Sequence, residues 1–159
     1  MAEDSQLIKC IILTLRRENV IVPNALVAEI TSVSDVADVK NAPDWFLGNM
    51  KWRGADIPLL SFEASGGEKF SKVNLNTQAV VLYSVGTSGA SSENPYLALV
   101  MSGVPHVSRF TREQIKTDVD EQEEGHPMVA QKVRINGARV SILDVDAMVA
   151  MVEELQLAA

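Results

Sequence analysis

Reactive and metal-binding residues are scarce in this sequence. Cysteine occurs once, as Cys10, which excludes an intramolecular disulfide and suits a reducing compartment. Histidine occurs twice, as His106 and His126, and no His/Cys cluster has the spacing of a metal site. No apolar run approaches the about 20 residues that span a bilayer. The opening stretch, M-A-E-D-S-Q, is acidic and lacks the basic-then-apolar pattern of a secretory leader. Basic residues are outnumbered, 14 Lys and Arg against 21 Asp and Glu, for a net charge of −7 and a pI near 4.8. Nucleic-acid binding rests on a basic surface that displaces counterions from phosphate, so this balance argues against it and leaves only a local basic patch around Lys51 and Arg53. The expectation is a cytoplasmic protein with no cofactor, no nucleic-acid partner and no direct membrane contact.

What the chain has in quantity is aliphatic residues. It is 47% hydrophobic over 159 residues, enough for one compact unit or two small ones sharing a core. The organising stretch is Asn49 to Phe62, N-M-K-W-R-G-A-D-I-P-L-L-S-F. Ala55 to Phe62 is an apolar run broken by Asp56 and Pro58, which predicts a short strand near a sheet edge. Gly54 marks a tight turn before it. Trp52 and Arg53 flank that turn, and both residue types are common anchors of protein interfaces. For Arg53 the competing reading is a structural ion pair; for Trp52 it is core packing.

The pattern returns late in the chain. Gly54-Ala55-Asp56-Ile57-Pro58-Leu59-Leu60 matches Gly137-Ala138-Arg139-Val140-Ser141-Ile142-Leu143 in character. Upstream, Val20, Val22, Val27, Ile30 and Val33 align without a gap on Leu97, Leu99, Val104, Val107 and Phe110. A supersecondary unit used twice predicts a mainly β chain of two small, highly curved sheets packed on each other. The polar stretch Glu63 to Asn76 is the boundary, giving halves of roughly 15–75 and 76–143 with strands exchanged at the ends, inside a single domain of 7–152.

In order, Leu7 to Leu15 reads as a buried strand and Val20 to Val22 as a second, interrupted by Pro23. Ala25 to Val33 reads as a bent strand, and Pro43 to Phe46 as a helical turn whose Trp45 and Phe46 plug a core. Thr77 to Val85 and Tyr96 to Met101 flank a loop, and Val104 to Phe110 extends their ladder. Thr111 and Gln114 have capping-box spacing. Asn136-Gly137 is a strong hairpin signal between Val129 to Ile135 and Ala138 to Leu143. Asp144 or Asp146 caps a final helix with Val145, Met148, Val149, Val152 and Leu155 on one stripe, which is expected to seal the open end of a barrel.

Enzymatic chemistry has little to stand on. His106 lies in a strand, and Cys10 in an apolar one where a thiol is usually inert. A Cys10–His106 pair is the basis of the alternative reading, a small-molecule-binding β-barrel or weak hydrolase. Asp118 to Gly125 fails the calcium-loop pattern at Gln122 and Glu123 and reads as a solvated acidic loop. Gly66-Gly67 lacks the lysine of a phosphate loop.

The segment Gly48-x-x-x-x-Arg53-Gly54-x-x-Ile57-Pro58-Leu59-Leu60 resembles the signature of CheW-like chemotaxis adaptor domains. The flanking V-I-V-P, V-A-E-I and V-P-H-V stretches look like that family too, and the likeness runs from about Leu7 to Val152. It implies two five-stranded SH3-like β-barrels packed together, with short helices and a C-terminal helix. It implies a non-catalytic adaptor that couples a methyl-accepting chemoreceptor to a CheA-type histidine kinase, with Arg53 in the region facing both. Leu26, Val27, Ile30, Met50, Trp52 and Arg53 are the expected contact residues. The chain departs from the family pattern at Lys51-Trp52, Ser61-Phe62 and Met101-Ser102, where asparagine-leucine, aspartate-leucine and valine-aspartate are usual. In this it looks like adaptors of pilus-linked, twitching-motility systems.

Overall fold

The computed structural model describes residues 7–15, 19–33, 36–65, 77–83, 96–101, 104–117 and 126–158. Its strands are β1 (Ile8–Thr14), β2 (Asn19–Pro23), β3 (Val27–Ser32), β4 (Phe46–Trp52), β5 (Ala55–Leu60), β6 (Gln78–Tyr83), β7 (Tyr96–Met101), β8 (His106–Phe110), β9 (Ile115–Thr117), β10 (Val129–Ile135) and β11 (Ala138–Leu143). Two helices accompany them, α1 (Phe62–Ser65) and α2 (Val145–Ala158).

The strands form two sheets, ordered β8-β1-β2-β11-β10-β9 and β3-β6-β7-β5-β4. The repeat is visible in their registers. Leu59 pairs in parallel with Ala98, and the equivalent Ile142 pairs in parallel with Ile21. Ile30 faces Val80 as Val107 faces Ile11. The hairpins β4–β5 and β10–β11 each carry an irregularity near their start, at Phe46/Gly48 and at Val129/Gln131. Among the described residues, the strand orders of the two sheets differ in the short extra strand β9.

The halves of the repeat and the sheets do not coincide. One sheet takes β1 and β2 from the first half and β8 to β11 from the second; the other takes β6 and β7 from the second and β3 to β5 from the first. A cut near residue 75 therefore passes through both sheets: β1 and β2 of the first half join strands of the second, and β6 and β7 of the second join strands of the first. Val104 to Phe110 does not extend the β6–β7 ladder as expected; β8 crosses over to pair with β1.

Strands buried on both faces explain the near-continuous aliphatic runs. Ile11, Leu13, Val20, Val22, Val80, Leu82, Leu97 and Leu99 fill a core between the sheets. Their neighbours turn the other way, Cys10 and Ile21 into one barrel and Ala79, Val81, Ala98 and Val100 into the other. The stripe on α2, with Val145, Met148, Val149 and Val152, belongs to the core between the sheets and not to the end of one barrel. Asp144 caps that helix, its Oδ1 accepting from the Ala147 N–H at 2.9 Å.

Three local features refine or correct the expectations. Pro43 to Phe46 is a single turn, closed by the Phe46 N–H donating to the Pro43 carbonyl at 3.0 Å, and Phe46 already opens β4; Trp45 and Phe46 pack on the core between the sheets. Pro58 lies in an interior strand, since β5 runs between β7 and β4. The proline is tolerated because the ladder to β7 starts only at Leu59. Gly48 is required where the chain crosses itself: its φ is +132°, and a Cβ there would lie 2.4 Å from the Ala37 carbonyl oxygen. Ala37 and Asn49 exchange backbone hydrogen bonds of 2.8 and 3.0 Å at that crossing. The expected acidic loop and the loop between β6 and β7 lie outside the described residues.

Candidate functional site

Both repeat hairpins close through a two-residue turn with left-handed backbone at each position. Arg53 and Gly54 have φ of 49° and 79°; Asn136 and Gly137 have 51° and 87°. This geometry matches the twist of paired strands and favours Asn-Gly. Asn136 fits that preference and Arg53 does not. An arginine thus stands at a backbone position that costs about 1 kcal/mol for a residue with a Cβ.

Two contacts hold the Arg53 side chain. Its Nη2 donates to Glu29 Oε1 at 2.7 Å. Its guanidinium carbon lies 4.6 Å from the centre of the Trp52 ring, a cation–π arrangement. The Trp52 ring meets Tyr96 edge-on at 4.7 Å, and Tyr96 meets Tyr83 at 5.4 Å. Lys51 and Asp56, directly across the hairpin, form a second exposed ion pair at 3.2 Å. Arg53 keeps 67% of its side chain exposed, so the fork is oriented yet open to a partner. At the tip of the second hairpin Asn136 Oδ1 accepts a long bond, 3.5 Å, from Gln114, and Arg134 Nη1 donates to the Gly137 carbonyl at 3.5 Å.

Glu29 is on β3, the strand that also carries Val27 and Ile30, and Leu26 is in the 3-10 turn just before it. These three apolar side chains are half-buried against the core between the sheets. The ion pair therefore ties the Arg53 corner to the strand that bears them.

Met50 and Trp52 correct the expected contact set. They are 1% and 7% exposed, inside the barrel with Ile57 and Leu59. Both stand on the inward face of β4, two residues apart, and present almost no surface to a partner. Trp52 acts behind Arg53, as the floor on which the guanidinium rests.

The rival site is not assembled. Cys10 is buried, and desolvation raises its thiol pKa above the usual 9.0, away from a reactive thiolate. It faces Ser108 across the ladder, while His106 faces Ile12 and is exposed. No hydrogen bond joins Cys10 to His106. Among the described residues no group of three His, Cys, Asp or Glu converges, and no helix is long and apolar enough to cross a membrane.

His126 is the residue that sequence reading left without a role. Its ring stacks on Phe62 at 3.9 Å and 13°. Its Nδ1 accepts from the Met128 N–H at 3.0 Å, and its Nε2 lies 2.9 Å from the Phe62 carbonyl oxygen. An Nδ1 that accepts leaves the proton on Nε2, which then donates to that carbonyl. The ring pins α1 to the entry of β10. A lone histidine before Pro127 carries no periodic signal that could have revealed this.

A family model for the CheW-like domain matches residues 9–153. The chain belongs to the CheW-like domain family. That family is one of chemotaxis adaptors and scaffolds, and the role extends to this CheW-like domain. Its fold is shared with the crystal structure of the scaffolding protein TtCheW from Thermoanaerobacter tengcongensis: the TM-score is 0.69 at 14% sequence identity, over 87% of this chain and 84% of that one. The two sheets are the two SH3-like β-barrels of that fold. No curated protein matches the sequence.

Proposed function

We propose that this CheW-like domain acts in the cytoplasm, without a catalytic step, and links a methyl-accepting chemoreceptor to a CheA-type histidine kinase. Residues 7–152 act as one unit. Arg53 is the central contact, with Leu26, Val27 and Ile30 beside it. The observation that carries this reading is Arg53 itself, a charged residue kept exposed at a turn whose backbone prefers asparagine or glycine. A sequence under no other demand would place asparagine there, as the second hairpin does. Bidentate donors of fixed geometry suit a partner carboxylate or backbone carbonyl pair. The departures at Lys51-Trp52 and Ser61-Phe62 fit a receptor of the pilus-linked, twitching-motility kind.

The test is a pull-down with the CheW-like regulatory domain of a CheA-type kinase as bait. Arg53→Glu should lose the signal with an unchanged circular dichroism spectrum. Full retention by that variant removes Arg53 from the interface.

A further inference from the structure

The sheet that holds β1 and β2 ends at β8, and among the described residues no strand pairs with β8's outer side. Three exposed aliphatic side chains border this edge: Leu7, Val104 and Val107, at 54%, 72% and 56% exposure. Two cations lie among them. Lys9 on β1 is the direct cross-strand partner of Arg109 on β8. Like charges placed opposite each other destabilise a sheet. Neither cation has an ion-pair or hydrogen-bond partner among the described residues, and β1 and β8 contain no carboxylate. This is an unsatisfied positive strip on a chain of net charge −7.

The repeat supplies an internal comparison. Val27 and Ile30 occupy on β3 the positions that Val104 and Val107 occupy in the second half. They are half-buried, packed in the cluster that includes Trp45, Phe46, Val129 and Met151. The chain covers one copy of this apolar pair and leaves the other bare. Edge cations alone would be explained as protection against strand-to-strand aggregation, but two exposed valines beside them work against that purpose.

Charge selects the occupant. A second copy meeting edge to edge would gather four cations, two from each chain, along one seam. Two cations are too few for a lipid-binding basic cluster. We propose that β8 is a strand-addition site for an extended segment of a partner protein that carries aliphatic residues and carboxylates two positions apart on one face. Val107 and Arg109 are themselves two apart and share a face. An added strand would seat its aliphatic residue by Val107 and its carboxylate by Arg109 and Lys9, with backbone hydrogen bonds supplying the register.

The probe is a fluorescein-labelled peptide with Glu and Val alternating on one face and Thr between them, read by fluorescence anisotropy against the full chain. Binding should weaken as salt is raised, and Lys9→Glu/Arg109→Glu should weaken it about tenfold or more. The same peptide with Lys in place of Glu should bind the double variant and not the wild type. Arg53→Glu should leave the acidic peptide's affinity unchanged, which separates this edge from the adaptor corner. Arg109→Glu alone should melt above the wild type, because it replaces a cation–cation pair by an ion pair. The proposal is overturned by absent binding of the acidic peptide, by equal binding of both peptides, by an affinity unmoved in the double variant, or by a single variant that melts no higher. A salt-sensitive dimer of the wild type that the double variant abolishes would also overturn it, making a second copy the occupant.

Discussion

Arg53 and Glu29 meet at 2.7 Å across the two ends of one sheet, the arginine in the turn after β4 and the glutamate on β3. Both side chains are substantially exposed, 67% and 36%. An ion pair in that setting contributes about 0–1 kcal/mol. Its effect is on direction: it aims one guanidinium and couples it to the strand carrying Val27 and Ile30.

Stability and binding should therefore separate at this corner. Arg53→Asn supplies the residue that the left-handed turn prefers, as Asn136 does in the second hairpin. The variant should unfold in urea within about 1 kcal/mol of the wild type, and on the stable side if the backbone term outweighs the lost ion pair. It should bind the kinase domain as poorly as Arg53→Glu. A loss of stability of several kcal/mol would make the arginine structural.

The glycines at left-handed backbone should not be equivalent. Gly48→Ala drives a Cβ to 2.4 Å from the Ala37 carbonyl oxygen at φ +132°. The expected loss is about 2–4 kcal/mol in urea unfolding. Gly54→Ala and Gly137→Ala meet no atom within 4 Å, so only the backbone term of about 1 kcal/mol remains. Equal losses at all three would contradict the close approach at Ala37.

Cys10 should be silent in the folded chain. Burial raises its thiol pKa, so a thiol-reactive disulfide at pH 8 should label it only after denaturant is added. The same shift fixes the sign of a pH effect. The folded state holds the thiol proton more tightly than the unfolded state does. The resulting stability is fully present below the unfolded value of 9.0 and is lost as pH rises through the higher folded value. Urea midpoints measured from pH 8 upward should fall in the wild type more steeply than in Cys10→Ala. Parallel curves would contradict the assignment.

His126→Phe tests the clamp between α1 and β10. The ring stack with Phe62 can persist, and the Phe62 carbonyl keeps the Ser65 hydroxyl as a donor at 3.0 Å, but the Met128 N–H loses its acceptor. Leaving such a group unpaired costs about 1–3 kcal/mol when water cannot reach it. Urea unfolding should show a loss in that range, and a neutral variant would mean that the Met128 hydrogen bond contributes nothing.

Much of the architecture was legible in the residues. The matched glycine turns, the aligned aliphatic positions and the Asp144 cap each exist because a local rule of backbone or burial demands them, and such rules act over a few residues. The crossing of β8 to β1 was not legible. Whether β8 pairs with β7 or crosses to β1 is decided by long-range packing, and either choice buries the same alternating side chains. The burial of Met50 was in reach. It stands on the same period-two face as Gly48 and Trp52, and that alternation marks the inward side of β4. Glu29 as the partner of Arg53 was out of reach, since 24 residues separate them and no spacing rule joins a strand to a distant turn. His126 was hidden for the same reason: its ring meets Phe62 and Ser65 on α1, far away in the chain, as well as the backbone of Met128.

The adaptor reading is tested most directly by reconstitution. A CheA-type kinase and membranes bearing a methyl-accepting chemoreceptor are sedimented together with and without the purified chain. The kinase should enter the membrane pellet only when the chain is present, and Arg53→Glu should leave it in the supernatant. Kinase that pellets equally without the chain, or equally with the variant, would contradict the account.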